Sequence, residues 1–286
     1  MPTATKNWTA EDLEQVAVEL EPQGPEATLR WMVDEFHPSL YVACSFQQEE
    51  SVLLDMLHRI QPEIRIFYLD TDVLFDETYE TRDRFVERYG FKFERYHNIS
   101  LEEQARLHGD ELWKSDPNQC CAIRKVEPLQ RALGSVDAWV TGIRRDQAPT
   151  RANSRKVEWD DKFGLVKANP LADWSLKDVW AYIHEHDVPY NPLHDRNYPS
   201  IGCTHCTRQV MPGEDPRISR RIDATLERIG GLIGGWVEAP AIGESALARL
   251  MSAVLLGDFV SVYLAVRRGV DPTPVTAIEE LKTRLA

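Results

Sequence analysis

Four of the five cysteines fall into two tight pairs, Cys120-Cys121 and Cys203-Thr204-His205-Cys206, while Cys44 stands alone. Thiolates are soft ligands for zinc and iron. Arg124 and Lys125 follow the first pair and Arg208 the second, as suits thiolates gathered on a metal centre of net negative charge. A disulfide framework belongs to small oxidised domains, and this sequence shows neither an apolar leader nor a short Cys-dense body. A structural zinc site fits the Cys-x-x-Cys half but ordinarily takes a second spaced pair. Spacing therefore ranks a thiolate-held [4Fe–4S] cluster ahead of zinc, and zinc ahead of four unliganded thiols. His205 reads as a neighbour of the centre, not a ligand.

A second set of residues is suited to holding an anion. Ser45-Phe46-Gln47-Gln48-Glu49-Glu50-Ser51 separates an apolar run from a helical pattern. Such a turn aims backbone N–H groups and a helix N-terminus at one point, and Ser45 and Ser51 could add hydroxyl donors. The stretch lacks the glycines of a phosphate-binding fingerprint, so an ordinary βα turn competes with this reading. Asp70 and Thr71 end the next apolar run. Gly142 to Arg151 brings Arg144, Arg145 and Arg151 into one turn-forming stretch, and guanidinium forks match phosphate or sulfate oxygens. Lys125 and Lys167 would extend the positive lining. His194 is a candidate pocket acid or donor, although a lone histidine is more often structural. With a formal net charge of -13 over 286 residues, nucleic acid and anionic membrane are poor partners, and a local basic pocket for a small anion is favoured. The thiols imply a reducing, cytoplasmic setting.

These groups must be carried by a scaffold with a hydrophobic content of 43%. Thr9 with Asp12 predicts a helix start, and a second helix is expected over Pro25 to Phe36. Leu40 to Cys44, Ile64 to Thr71, Phe91 to Tyr96 and Ala138 to Thr141 read as strands. Helices are expected from Val52 to Ile60, Glu77 to Tyr89, Arg124 to Leu133 and Ser175 to His186. Alternating strands and helices predict a doubly wound α/β sheet, with ligands beyond the carboxyl ends of its strands.

The quoted segments, with Asn169-Pro170-Leu171-Ala172-Asp173-Trp174 and Tyr198-Pro199-Ser200-Ile201-Gly202-Cys203, resemble the assimilatory sulfonucleotide reductases over most of Leu40 to Arg217. The two thiol pairs are similar to those of the adenylyl-sulfate (APS) branch. The resemblance implies an adenine-nucleotide α-hydrolase-like, PP-loop type of mostly parallel sheet with helices on both faces. It also implies a [4Fe–4S] cluster on Cys120, Cys121, Cys203 and Cys206, APS as substrate and thioredoxin as reductant. By the same resemblance Ser45, Phe46, Gln47, Glu49, Leu69, Asp70, Thr71 and Gly142 line the nucleotide, Lys125, Arg144, Arg145 and Arg151 face its anionic end, and His194 joins the pocket. In that family a cysteine thiolate attacks the sulfate sulfur, AMP leaves, and thioredoxin releases sulfite from the S-sulfocysteine.

One departure is chemical. The family's nucleophile lies in a carboxyl-terminal Glu-Cys-Gly-Leu/Ile-His segment, and here no cysteine follows Cys206. Cys44 is the remaining candidate nucleophile, although its place at a strand end reads as buried packing. Two alternatives follow: an iron–sulfur protein that binds sulfonucleotides without turnover, and, ranked last, an ATP-dependent adenylating enzyme, whose Ser-Gly-Gly-x-Asp-Ser loop is not matched. Residues 1–217 are expected to form the reductase domain and 218–286 a helical appendage, with helices at 222–229, 245–266 and 275–285. Leu255 to Leu264 and Gly269 to Pro274 are similar to the closing helices of bifunctional phosphoglucose/phosphomannose isomerases. Lys282 falls where such a tail carries a functional lysine, but the sugar-binding domain is absent. The tail is therefore expected to serve packing or dimer contacts, which admits a homo-oligomer, and not isomerase activity. The interrupted apolar run at 251–266 is too short to span a membrane.

Overall fold

The computed structural model describes residues 8–210, with Ser252, Leu255, Val260, Arg267 and Gly269 beyond them. The chain divides into two compact units, Met1–Val210 and Met211–Ala286. Of the tail helices expected from sequence, Ser252, Leu255 and Val260 are described and helical; the rest of that tail, Lys282 included, lies outside the described residues.

Six short strands, β1 (Leu40–Ala43), β2 (Arg65–Leu69), β3 (Phe93–Tyr96), β4 (Ala138–Val140), β5 (Val157–Asp160) and β6 (Leu165–Ala168), form one sheet in the order β3-β2-β1-β4-β6-β5. Every pairing is parallel except β5 with β6. Side chains alternate across a strand, and the sequence obeys that period. Leu40, Val42, Ile66, Tyr68, Ala138, Val140, Val166 and Ala168 enter one core, whereas Tyr41, Phe67, Trp139 and Leu165 enter another on the opposite face. A strand buried on both faces reads as an unbroken apolar run, which is why Leu40-Tyr41-Val42 was legible as the sheet's centre.

Helices α1 (Ala10–Leu20), α2 (Pro25–Phe36), α3 (Gln48–Ile60), α4 (Asp76–Tyr89) and α9 (Leu176–Glu185) supply the first core, through Leu13, Leu29, Leu53, Phe85 and Val179 among others. Helix α8 (Glu127–Leu133) supplies Ala132 and Leu133 to the second. The predicted caps are present: Thr9 and Asp12 form a capping box on α1, and Ser175 and Asp178 form one on α9.

Three elements differ from expectation. Helix α3 starts at Gln48 because Gln47 and Glu50 close a capping box of their own, so the loop after β1 is shorter than the sequence suggested. The helix expected from Arg124 begins instead with α7 (Pro117–Cys121) and passes through a π turn, Ala122–Val126, into α8. The antiparallel edge strand β5 and the short helix α5 (Leu101–His108), capped by Ser100, were not anticipated. Among the described residues no helix is long and apolar enough to cross a membrane.

Candidate functional site

A cleft of about 420 Å³ opens at the carboxyl ends of β1, β2 and β4. Strand β1 has β2 on one side and β4 on the other, and loops leaving a parallel sheet in opposite directions part there to leave a crevice. Phe67, Leu69, Leu129 and Trp139 form an apolar wall; Ser45, Gln47, Glu49, Glu50, Thr71, Lys125, Arg151 and Cys203 are among the polar residues that share the lining.

The loop after β1 is built by opposing demands on neighbours. Phe46 takes a left-handed conformation (φ 59), costly for a residue with a Cβ. Its ring is thereby buried against Tyr68 and Phe93, at centroid distances of 5.5 and 5.1 Å, so its contribution is to anchor the loop. Ser45 Oγ donates to Glu50 Oε2 at 2.8 Å, and the Gln47 backbone N–H reaches the same oxygen at 3.3 Å. Gln47 Oε1 accepts from the backbone N–H of Ile201 at 2.9 Å, tying this loop to the one that carries the second cysteine pair. Ser51, expected as a second hydroxyl donor to a ligand, is fully buried and donates back to Gln47 O at 3.2 Å.

The three arginines after β4 do not act together. Arg144 is 4% exposed and pairs through Nε with Glu49 Oε1 at 3.0 Å, with Asp146 on its Nη1. Arg145 turns away to Glu21 (2.7 Å) and to Ser154 O (2.8 Å). Only Arg151 lines the cleft, held by Gln147, so the expectation that all three face an anion is corrected. Lys167 likewise pairs with Glu158 at 3.0 Å on the sheet and is not in the lining. Lys125 is. Gly142 allows the close approach: a Cβ there would lie 2.5 Å from Glu50 Oε1 and 2.8 Å from Glu49 Cβ.

Asp70 is also spoken for. It is 4% exposed and accepts from Tyr79 OH (2.7 Å), Arg95 Nε (2.6 Å) and Asp72 N (2.9 Å). Burial opposes its ionisation, yet these donors hold its carboxyl below the usual range. It braces the loop after β2 and does not line the cleft. His194 donates or accepts at Nδ1 with Tyr198 O (2.8 Å) and packs edge-on to Trp180; burial pushes its pKa down. It too lies outside the lining. Cys44 is 6% exposed, and burial with the nearby Glu50 charge drives its thiol well above the ordinary range.

The two thiol pairs share a neighbourhood. Cys203 is pinned by a bridge to Leu74 and by Thr204 N–H to Val73 O (2.8 Å), and its Sγ donates to Thr71 Oγ1 at 3.3 Å. Arg124, one turn beyond Cys120-Cys121, donates to the carbonyl of the same Thr71 at 2.7 Å. Burial raises the Cys120 thiol, Arg124 lowers it, and Cys121 and Cys203 raise it again. Burial and Cys203 raise Cys206, which Lys125 lowers. Thiols that oppose one another's ionisation are close in space, and a cation bound among them relieves that repulsion. Arg124 Nη2 is buried and lacks a hydrogen-bond partner among the described residues, an orphan donor that a sulfur-rich anion beside Cys120 would satisfy. The chemistry of the donor set fits a thiolate-held cluster. No three Cys, His, Asp or Glu side chains among the described residues already stand in metal-holding geometry. His205 stacks on Trp113 at 4.0 Å, as suits a neighbour of the thiols.

Residues 39–209 match the phosphoadenosine phosphosulfate reductase domain. The chain belongs to this reductase family. It is 49% identical to an adenosine 5'-phosphosulfate reductase of Shouchella clausii (strain KSM-K16) over 82% of its length and 96% of the relative's. It is 45% identical to adenosine 5'-phosphosulfate reductase 1 of Bacillus subtilis (strain 168), over 69% and 86% respectively. The crystal structure of a phosphoadenylyl-sulfate reductase from Candida auris, in complex with phosphate, superposes with a TM-score of 0.64 at 34% identity, covering 72% of this chain and all of that one. The expected PP-loop type of fold is thereby established. Residues 207–285 match the bacterial phospho-glucose isomerase C-terminal SIS domain, a longer likeness than the closing motifs alone indicated.

Within this reductase domain, sequence reasoning passed over Glu50, the carboxyl that occupies the N-terminus of α3, and the pinning role of Gln47. The Gln-x-x-Glu spacing of a capping box was the available signal. The Glu49 pairing with Arg144 had no local signal, since its partners are far apart in the chain.

Proposed function

We propose that the cleft takes adenylyl sulfate and that the reaction for which the site is built is the thioredoxin-dependent reduction of APS to sulfite and AMP. The observation that carries this reading is the juxtaposition of a cleft, whose lining includes two cations, Lys125 and Arg151, with two convergent thiol pairs in a chain of this family. The wall of Phe67, Leu69, Leu129 and Trp139 suits the face of a purine, and Ser45, Gln47 and Thr71 offer polar contacts near the loop ends. Lys125 and Arg151 would hold the phosphosulfate and stabilise charge on the departing AMP. Cys120, Cys121, Cys203 and Cys206 would hold a [4Fe–4S] cluster, which when bound supplies electrostatic stabilisation and positioning. Residues 1–217 form the reductase part and 218–286 an appended helical part, working in a reducing cytoplasm.

A second reading, binding of APS without turnover, is favoured by one set of observations: no cysteine follows Cys206, and Cys44 is a buried, protonated thiol. The test is anaerobic purification with iron and acid-labile sulfide analysis, then a sulfite assay with thioredoxin on APS and its 3'-phosphorylated form. Iron, sulfide and sulfite from APS are expected under the first reading; iron and sulfide with APS binding but no sulfite select the second. Protein without iron or sulfide that binds neither nucleotide overturns both.

A further inference from the structure

An anion site at a helix N-terminus is ordinarily empty until its ligand arrives, but the N-terminus of α3 is already filled from within. Glu50 Oε2 accepts from Ser45 Oγ at 2.8 Å and from Gln47 N–H at 3.3 Å, and Glu50 Oε1 lies against Gly142. The side chain is 9% exposed and lines the cleft. Its neighbour Glu49 is neutralised by Arg144 at 3.0 Å, with Gln147 Nε2 on the same oxygen at 3.1 Å. Glu50 has only neutral donors. With Glu50 ionised, the lining's uncompensated charges are Lys125, Arg151 and Glu50 itself, and an arriving dianion meets a carboxylate at the spot where backbone donors converge.

We propose that Glu50 reads the ligand's charge: entry of an anionic adenine nucleotide is coupled to protonation of this carboxyl, which then donates a hydrogen bond where it would otherwise repel. The inference rests on the reading that the cleft takes APS. The proton comes from solvent, and no covalent bond changes. Burial first, and then the Glu49 charge, push Glu50 up to about 7 before any ligand binds, so taking up a proton near neutrality costs little. The other groups facing it are the Cys44 thiol on its own loop, the Glu49–Arg144 pair, Arg151 beyond Gln147, Lys125 from the π turn and Cys203 from the closing loop. His194 feels the charge of Glu49. Of these, Glu50 is a carboxyl in the lining without a cationic partner among the printed ion pairs.

The probe is APS, whose acidic groups do not titrate between pH 6 and 8, added without reductant to the anaerobically prepared full chain. Binding is measured by calorimetry in two buffers of different ionisation enthalpy, with adenosine as the uncharged control. Wild type is expected to take up close to one proton per APS at pH 8, to bind about tenfold more weakly there than at pH 6, and to bind adenosine without uptake. Glu50→Gln keeps the acceptor for Ser45 and should abolish the uptake and bind APS about tenfold more tightly than wild type at pH 8. Glu50→Ala should also abolish uptake if the amide variant does not fold. APS binding with no proton uptake in wild type, or uptake that persists in either variant, overturns the inference and leaves the APS reading standing. Absence of APS binding from pH 6 to 8 overturns both.

Discussion

At the scale of single residues, the cleft separates side chains that sequence alone treats alike. Arg144 and Arg151 both looked like anion ligands, yet one is buried in an ion pair with Glu49 and the other is an exposed part of the lining. Breaking a buried pair leaves an uncompensated charge and costs about 3 to 5 kcal/mol. Arg144→Met is therefore expected to lower stability by that order in denaturant titration. Arg151→Met should leave stability nearly unchanged and weaken APS affinity by about tenfold to hundredfold, as for loss of a charged hydrogen bond. Equal effects of the two changes would contradict this division. Glu50 gives a pH prediction with a definite sign. Its folded pKa, about 7, lies above the ordinary 4.5, so its contribution to stability is fully present below about 4.5 and is lost as pH rises through about 7. Glu50→Gln should accordingly gain stability over wild type at pH 8, by at most about 3 kcal/mol, and show no gain at pH 4, as read from denaturation midpoints. Residue type was legible in the sequence here; which charge is already taken was not, because Glu49 and Arg144 meet only in the fold.

At the scale of elements, what the sequence made legible was what local periodicity controls. The β1 run, the caps of α1 and α9 and the span of α2 follow from neighbouring residues. Strand β5, Val-Glu-Trp-Asp, is held by its antiparallel pairing with β6, and four alternating residues carry too little pattern to reveal it. The cysteine pair was placed ahead of a helix, whereas α7, the π turn and α8 run on continuously. That turn is functional in its effect: it directs Arg124 to Gln104 Oε1 (2.7 Å) and Thr71 O (2.7 Å) while leaving Nη2 aimed at unfilled hydrogen-bond demand. Cys120→Ser and Cys203→Ser are each expected to strip most iron and acid-labile sulfide from anaerobically purified protein, whereas Cys44→Ser should retain both. Stoichiometric zinc with no sulfide in wild type would replace the cluster assignment with a zinc site.

At the scale of the whole molecule, the decisive fact is where the reductase likeness stops. It runs to residue 209, and the isomerase-type SIS likeness starts at 207, so the sequence that would have supplied a carboxyl-terminal thiol is replaced by one without cysteine. Turnover of APS by the family's route needs a thiolate free to reach the sulfate sulfur, and nucleophilicity tracks the thiolate fraction. Cys44 is 6% exposed, and its pKa is raised well beyond the ordinary range, so at neutral pH it is a thiol in the core cluster beneath the loop. Mixing the chain with APS in the absence of reductant should therefore leave its intact mass unchanged, with no added SO3 group, while calorimetry still detects binding. An SO3 adduct mapped to Cys44, lost in Cys44→Ser without loss of iron, would show that the core thiol is drawn into the cleft and that the chain reduces APS by itself. The same experiment carried to higher pH has a built-in check: an adduct on Cys44 should grow with pH as its thiolate forms, whereas binding that depends on a protonated Glu50 should fade over the same range.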